Sequence, residues 1–375
     1  MTQLTFFPLG NADTTLARLR DGRRILFDYA DKATGEDGDK RCDLPALLAG
    51  DMQEAETDTY SVVAYTHLDS DHCGGSSDFF WFDHATKYQG EGRYKIETLW
   101  VPAGAITEDC LDNCARVIRQ EARHRLKAGK GIKVFSRPER LRKWLEANGL
   151  SVEDRAHCCV DAGQLVPEFS LSNDAVEFFV HSPHATRTDD RGLEDRNGDS
   201  IMLQVRFEEG GYHTDLLITG DMPYDALGEV INLTRHYGND DRLHWNIYHL
   251  PHHCSYKSIG PEKGEDKTEP TDQVAWLCED AGEENGFIVS ASWPIPFKGS
   301  DADKDKQPPH RQAANYYKTD VLADDRNFLV TMMHPSSTNP KPLVLLITNT
   351  GAVKDTSGSG GMAAAAGVVA PRAGR

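Results

Sequence analysis

In the run Thr66-His67-Leu68-Asp69-Ser70-Asp71-His72, four side chains able to bind metal, two imidazoles and two carboxylates, fall within six residues. The run follows the apolar stretch Ser61-Val62-Val63-Ala64-Tyr65 and leads into Cys73-Gly74-Gly75. Where a strand ends the chain turns, and neighbouring side chains can converge on one point instead of alternating between two faces. A pair of divalent ions held about 3.5–4 Å apart by such a set lowers the pKa of a water and stabilises the charge that builds up during hydrolysis. The competing interpretation is a polar loop in which Asp71 caps the next helix, and Asp71 can do both.

The same residue types recur at the ends of later apolar runs. A strand over 216–219 is followed by Gly220-Asp221, one over 245–248 by His249-Leu250-Pro251-His252-His253, and one over 287–290 by a proline-rich loop ending at Pro308-Pro309-His310. The elements that must position these groups begin with strands over 4–7, 15–19 and 24–27, the last ending at Asp28. Further strands are expected over 176–180, 201–205 and 343–348. Helices are expected over 108–130 and 138–148, the second with Pro138 at its start and Gly149 after its end.

At 375 residues, 39% hydrophobic and 27% charged, the chain has the composition of a globular protein. We expect one domain over 1–355 with a basic helical insertion at about 108–155, and a flexible low-complexity tail over 356–375. A formal net charge of -18 excludes a surface that grips nucleic acid all over, because polyanions are held by Lys and Arg. The local exception is 116–143, with eleven Lys or Arg against two Glu. It is either a solvated helix face or a phosphate-facing surface, and Arg116, Arg119, Arg123 and Lys127 are the candidates for phosphate contact. Eight cysteines without regular spacing, and a start unlike a secretion signal, fit a reduced, cytoplasmic protein. No apolar run approaches the roughly 20 residues that cross a bilayer, so no membrane insertion is expected.

The 66–72 run resembles the His-x-His-x-Asp-His signature of the metallo-β-lactamase superfamily, in the variant whose second position is Asp, which is similar to the hydrolase (DNase) domain of ComEC-type DNA-uptake proteins. The likeness continues in order along the chain. Pro8-Leu9-Gly10-Asn11-Ala12-Asp13-Thr14 resembles the family's opening turn and Ile25-Leu26-Phe27-Asp28 the strand after it. Val160-Asp161-Ala162-Gly163 with Phe179-Val180-His181-Ser182-Pro183, then Asn197-Gly198-Asp199-Ser200, Thr219-Gly220-Asp221, Leu250-Pro251-His252-His253-Cys254-Ser255 and Pro309-His310 match later motifs. Cys254 stands where the family has Gly, and Ala12 replaces another Gly, which touches backbone shape more than ligation.

The resemblance implies an α/β fold, the metallo-β-lactamase αββα sandwich of two mixed sheets flanked by helices. It implies metal ligands His67, Asp69, Asp71, His72, Asp221 and His252, with Asp221 bridging two divalent ions. Asp71, His253 and His310 are the implied catalytic groups, His310 or one of the paired histidines orienting or protonating the leaving group. Carboxylate in place of the usual second imidazole hardens the site, so Mn²⁺ or Zn²⁺ is expected, with Mg²⁺ as a further candidate. His181 and His184 are candidate extra ligands, and Ser255 and Lys257 candidate phosphate contacts beside the paired histidines. The expected activity is phosphodiester hydrolysis, as a nuclease on DNA or RNA, in company with a protein partner in a multi-component system. A small-molecule hydrolase (lactonase, β-lactamase-like or cyclic-nucleotide phosphodiesterase) and a non-catalytic binding scaffold are the alternatives, and the complete ligand set speaks against the scaffold.

Overall fold

The computed structural model describes residues 1–108, 113–191, 195–322 and 324–356. The expected tail therefore lies, from 357 on, outside the described residues. Alternation along the first strands explains the architecture. In β1 (Thr2–Phe6), β2 (Thr15–Arg18), β3 (Arg24–Phe27) and β4 (Thr59–Ala64), one set of residues, Leu4, Phe6, Ala17, Ile25, Phe27, Val62 and Ala64, faces a second sheet. The other set, including Leu16, Leu26 and Val63, packs beneath helices. Both faces are buried, as a period of two requires when a sheet is covered on each side.

The first sheet continues through β5 (Lys95–Pro102), β6 (Ile132–Phe135) and β7 (Cys159–Val160), and its other edge is formed by β14 (Leu343–Thr348) and β15 (Gly351–Lys354), in the order β15-β14-β1-β2-β3-β4-β5-β6-β7. β3 to β7 run parallel and the rest antiparallel. The second sheet is β13-β12-β11-β10-β9-β8, formed by β8 (Val176–Ser182), β9 (Met202–Glu209), β10 (Tyr212–Ile218), β11 (Trp245–His249), β12 (Gly282–Ser290) and β13 (Phe328–Val330). β10 to β13 are parallel, β8 to β10 antiparallel. Trp100 and Phe178, edge to face at 5.1 Å, tie the two sheets together.

The first sheet's outer face is covered by α1 (Leu44–Glu54), α2 (Ser70–Cys73), α3 (Ser76–Phe79), α4 (Gly104–Thr107), α5 (Asn113–Ala128) and α6 (Glu139–Ala147). Two short helices, α7 (Leu171–Asp174) and α8 (Ala185–Arg191), precede and follow β8, while α9 (Tyr224–His236), α10 (Asp272–Ala275) and α11 (Arg311–Tyr316) cover the second sheet. Two mixed sheets flanked by helices are the expected αββα sandwich. One boundary differs: the segment expected as a helical insertion contains β6, paired in parallel with β5 and β7. α5 and α6 are therefore crossover helices of the sheet. Lys133 hides this strand in the sequence, because its stem is buried while its ammonium reaches the His157 carbonyl at 2.6 Å. Among the described residues no helix is long and apolar enough to cross a membrane.

Candidate metal centre

Parallel strands present their carboxyl ends along one edge of a sheet, where ligand sites of α/β folds gather. Here the ends of β3 and β4 face those of β10, β11 and β12. Backbone hydrogen bonds join the loops: Asp13 N–H donates to the Asp71 carbonyl at 3.0 Å, Tyr29 N–H to that of His72 at 2.9 Å, and Ile201 N–H to that of Thr66 at 2.9 Å. Gly220, with φ of +54°, lies so close to its neighbours that a Cβ there would meet Ser200 Cβ at 2.8 Å. The Thr-Gly-Asp sequence is thus demanded by space as well as by backbone conformation.

At this junction Asp13, His72, Asp221 and His253 each bring one donor atom to a common point, all within 4.8 Å of one another and all buried. His72 Nε2 is 3.2 Å from Asp221 Oδ1 and 3.6 Å from Asp13 Oδ2, and His253 Nε2 is 3.3 Å from Asp71 Oδ2. The far side of each ring is anchored. Asp28 Oδ2 binds His72 Nδ1 at 2.8 Å, and Asp28 in turn accepts from the Thr66 N–H and hydroxyl. His253 Nδ1 donates to the Ala291 carbonyl at 2.9 Å. Anchoring Nδ1 fixes the tautomer that leaves Nε2 free to ligate. His67, whose ring centre is 4.0 Å from that of His72, has Nδ1 against Thr66 Oγ1 and Nε2 without a partner.

These residues fit a divalent metal. His67 Nε2 is buried without a hydrogen-bond partner, at a cost of about 1–3 kcal/mol if left so, and Asp13 Oδ1 and His249 Nε2 face only each other, 3.3 Å apart. Imidazole and carboxylate together suit zinc and manganese. The electrostatics point the same way. Burial opposes charge on His72, yet Asp221 and Asp28 hold its pKa well above the ordinary value. Burial likewise opposes charge on His253, and Asp221 and Asp71 push it up to about 9. Asp221 is held well below the carboxylate range by His72 and His253 despite its burial. The pocket stabilises positive charge. His67 moves down instead, through burial and the neighbouring His72. Asp28, His252, His253 and Cys254 all have φ between 50° and 65°, a concentration of left-handed backbone that costs about 1–3 kcal/mol per residue and is typical of functional sites. Cys254 keeps the conformation in which a glycine would be relaxed.

Of the residues expected from the sequence, His67, Asp71, His72, Asp221 and His253 come together. Asp69 stands at the rim, Oδ1 bonded to Arg196 at 2.7 Å and Oδ2 3.9 Å from His67 Nε2. His252, expected as a ligand, donates its backbone N–H to Asp221 Oδ1 at 3.2 Å, while its half-buried ring lies outside the four-residue set that contains His253. His310 is buried against the same loop, its Nδ1 accepting from Tyr256 N–H at 3.3 Å and its Nε2 without a partner. Ser255 Oγ accepts from Lys257 N–H at 3.2 Å, and Lys257 is exposed. His181 is not a ligand: Thr234 Oγ1 and the Arg242 carbonyl occupy both ring nitrogens. His184 lines a separate cavity of about 820 Å³ with Arg137, Gln164 and Tyr237. Asp13, Asp28, Thr66 and His249 were not singled out as site residues, although Asp13 lies in the opening turn and Asp28 ends an apolar strand.

The basic helix is largely turned inward. Arg119 is 9% exposed and donates to the Glu108 carbonyl at 2.6 Å. Arg123 donates to the Ile106 carbonyl at 2.7 Å and stacks on Trp144, whose ring also carries Lys127. Arg116 is exposed.

No protein-family model matches this chain, and no curated protein matches it. Among solved structures it is similar to the metallo-β-lactamase SMB-1 bound to 2-mercaptoethanesulfonate, at 14% identity and a TM-score of 0.27, over 65% of this chain and 78% of that one. A likeness that slight carries no argument, and the functional assignment rests on the donors themselves.

Proposed function

We propose that this protein is a metal-dependent hydrolase of phosphodiesters, with nucleic acid as the substrate class. The buried convergence of Asp13, His72, Asp221 and His253 carries this proposal. Asp13, His72, Asp221 and His253 would hold divalent metal, Mn²⁺ or Zn²⁺, with His67, Asp69 and Asp71 available as further ligands for a second ion. Such ions, when bound, supply Lewis-acid activation of water and of the ester oxygen. Asp28 and the Ala291 carbonyl hold the imidazoles in the ligating tautomer. Because His310 Nδ1 accepts a hydrogen bond, the neutral ring carries its proton on Nε2. Burial and Lys263 push this ring down to about 4, so it is neutral at pH 7 and can steady the leaving oxygen with a hydrogen bond from Nε2 while keeping its proton.

The inward-turned cations of α5 favour a small phosphodiester as the second reading, since they leave little of the helix for a polymer backbone. The test compares chelator-treated protein with and without added Mn²⁺ or Zn²⁺ on linear DNA, RNA, a cyclic nucleotide, bis(4-nitrophenyl) phosphate and a chromogenic lactam. Metal-restored cleavage of DNA or RNA is the expected result. Cleavage of the small diesters alone selects the second reading, and turnover of the lactam alone overturns both.

A further inference from the structure

Arg196 sits beside the metal centre in a role that the ligand set does not use. Its Nη1 donates to Asp69 Oδ1 at 2.7 Å, its Nε to Glu108 Oε1 at 2.7 Å, and its Nη2 to the same Glu108 oxygen. A guanidinium has five N–H donors, so one on Nη1 and one on Nη2 remain. The side chain is 38% exposed and shares a narrow cleft with His67 and Leu68. Residues 195–200, which present it, are cross-linked by hydrogen bonds: buried Arg187 grips Asp199 at 2.7 Å and Asp195 at 3.1 Å, Asp195 accepts from Gly198 N–H, and the Ser200 hydroxyl donates to the Arg196 carbonyl. A Cβ on Gly198 would collide with Asp195 and Arg187.

Charge decides when those two donors can hold an anion. Asp69 and Glu108 together outnumber the single guanidinium, which suppresses anion binding. Asp69 Oδ2, however, is 3.9 Å from the unpartnered Nε2 of His67, a gap that a shared cation would close. Once Asp69 serves a metal, its charge is taken up and the guanidinium regains its pull on an anionic oxygen.

We propose that Arg196 is the residue that binds the anionic oxygen of the substrate, and that its ion pair with Asp69 couples anion binding to metal binding. The proposal rests on the hydrolase reading and sharpens it, because it makes the substrate an anionic ester and not a neutral lactone or lactam.

The test uses Arg196→Gln and Arg196→Lys in the full chain, with folding checked by circular dichroism. The first readout is kcat/KM on bis(4-nitrophenyl) phosphate divided by that on neutral 4-nitrophenyl acetate. Losing a charge-assisted hydrogen bond to the anion should lower this ratio about tenfold to a hundredfold in the Gln variant and less in the Lys variant. The second readout is calorimetric titration with Mn²⁺ alone. Arg196→Gln should bind Mn²⁺ several-fold more tightly, because Asp69 loses its competing partner, and adding Asp69→Asn should abolish the gain. An unchanged ratio overturns the anion role. Unchanged or weaker Mn²⁺ affinity overturns the coupling, and an unchanged ratio together with it leaves a merely structural arginine. Failure of the hydrolase reading would show separately, as absence of diester turnover in the unmutated protein, and the Mn²⁺ titration would still report on the coupling.

Discussion

The metal centre and helix α5 are both rich in charged side chains, but the two are built in opposite ways. The centre gathers Asp13, His72, Asp221 and His253 from loops far apart in the chain and brings one ligand atom of each to one place. Helix α5 carries Arg116, Arg119, Arg123, Arg125 and Lys127 within a few turns, and most of them are already engaged. Arg125 is the clearest case, donating to Glu121 at 2.6 Å and to the carbonyls of Ile96 and Gly131 at 2.9 and 2.8 Å. Density along the sequence is therefore a poor guide to binding capacity. What marks a site is a set of buried imidazoles and carboxylates from distant loops that converge on one point and pair mainly with one another, and what marks scaffolding is a set spent on backbone carbonyls and neighbouring side chains.

The largest effect should come from Asp221→Asn, which keeps the shape and removes the charge at the middle of the cluster. Metal loading should fall, and turnover should drop by about a thousandfold or more, corresponding to several kcal/mol of lost electrostatic stabilisation. Elemental analysis together with diester kinetics checks this. Full activity in the variant would remove the distinction between the two regions, because the convergent cluster would then be scaffold as well.

On the helix, the matching experiment is Glu121→Ala. Glu121 is fully buried and accepts from Arg125 and from the backbone N–H of His84 at 2.9 Å. Removing it strands the Arg125 charge, so stability measured by denaturant unfolding should fall by about 3–5 kcal/mol with the metal centre intact. Burial alone would raise the Glu121 pKa, but His84 and Arg125 overcome it and push the group down to about 2. Its folded pKa is thus below its unfolded value near 4.5. Its contribution should be complete above about pH 5 and be lost as pH falls toward 2, where the gap between wild type and Glu121→Gln should close. A gap that instead widened on acidification would show that the carboxylate is not ionised in the folded protein.

An intermediate effect is expected from Asp28→Asn, which touches the centre only through His72. Loosening the carboxylate that fixes the Nδ1 side of a ligating imidazole should cost about tenfold to a hundredfold in metal affinity, readable by competition with a chromophoric chelator. No change would mean that the Thr66 hydroxyl, 3.3 Å from His72 Nδ1, suffices to hold the ring.

The same contrast explains which parts of the molecule were legible in the sequence. The strand-end motifs at 66–72, 219–221 and 250–253 could be read because their chemistry is concentrated in a few residues after an apolar run. Asp28 and Asp13 are single carboxylates in ordinary turns, and only the fold brings them to His72. The choice between His252 and His253 was equally hidden, since both have left-handed backbone and the direction of each ring follows from the turn. Among the strands, β5 opens on the polar residues Lys95, Glu97 and Thr98 around a single Ile96, β6 is masked by Lys133, and β13 has only three residues. Helix α5 was recognised as a helix, but its basic face could not be sorted into inward and outward members without knowing that Ile118, Ala122 and Leu126 point into the core.

The smallest effect should come from the outward cations of that helix. Four neutralised phosphate contacts would flatten the slope of log K against log salt by about 3, at roughly 0.7–0.9 per contact. Arg119 and Arg123 are spent on the carbonyls of Glu108 and Ile106, however, and changing them would disturb the scaffold rather than report on a ligand. The clean variant is Arg116→Gln with Lys127→Gln, which removes exposed charge and, for Lys127, a contact with Trp144. If α5 is scaffolding, the salt dependence of nucleic-acid binding should shift by less than about 0.7, less than one phosphate contact, and diester turnover should stay within about twofold. A shift of about 1.5 would mean that both cations touch phosphate and that the helix serves as substrate track as well as crossover. In that case the cations dispersed around the strand ends, Arg196 among them, would share the polymer with α5, and combining Arg196→Gln with the helix variant should lower affinity by the product of the separate losses.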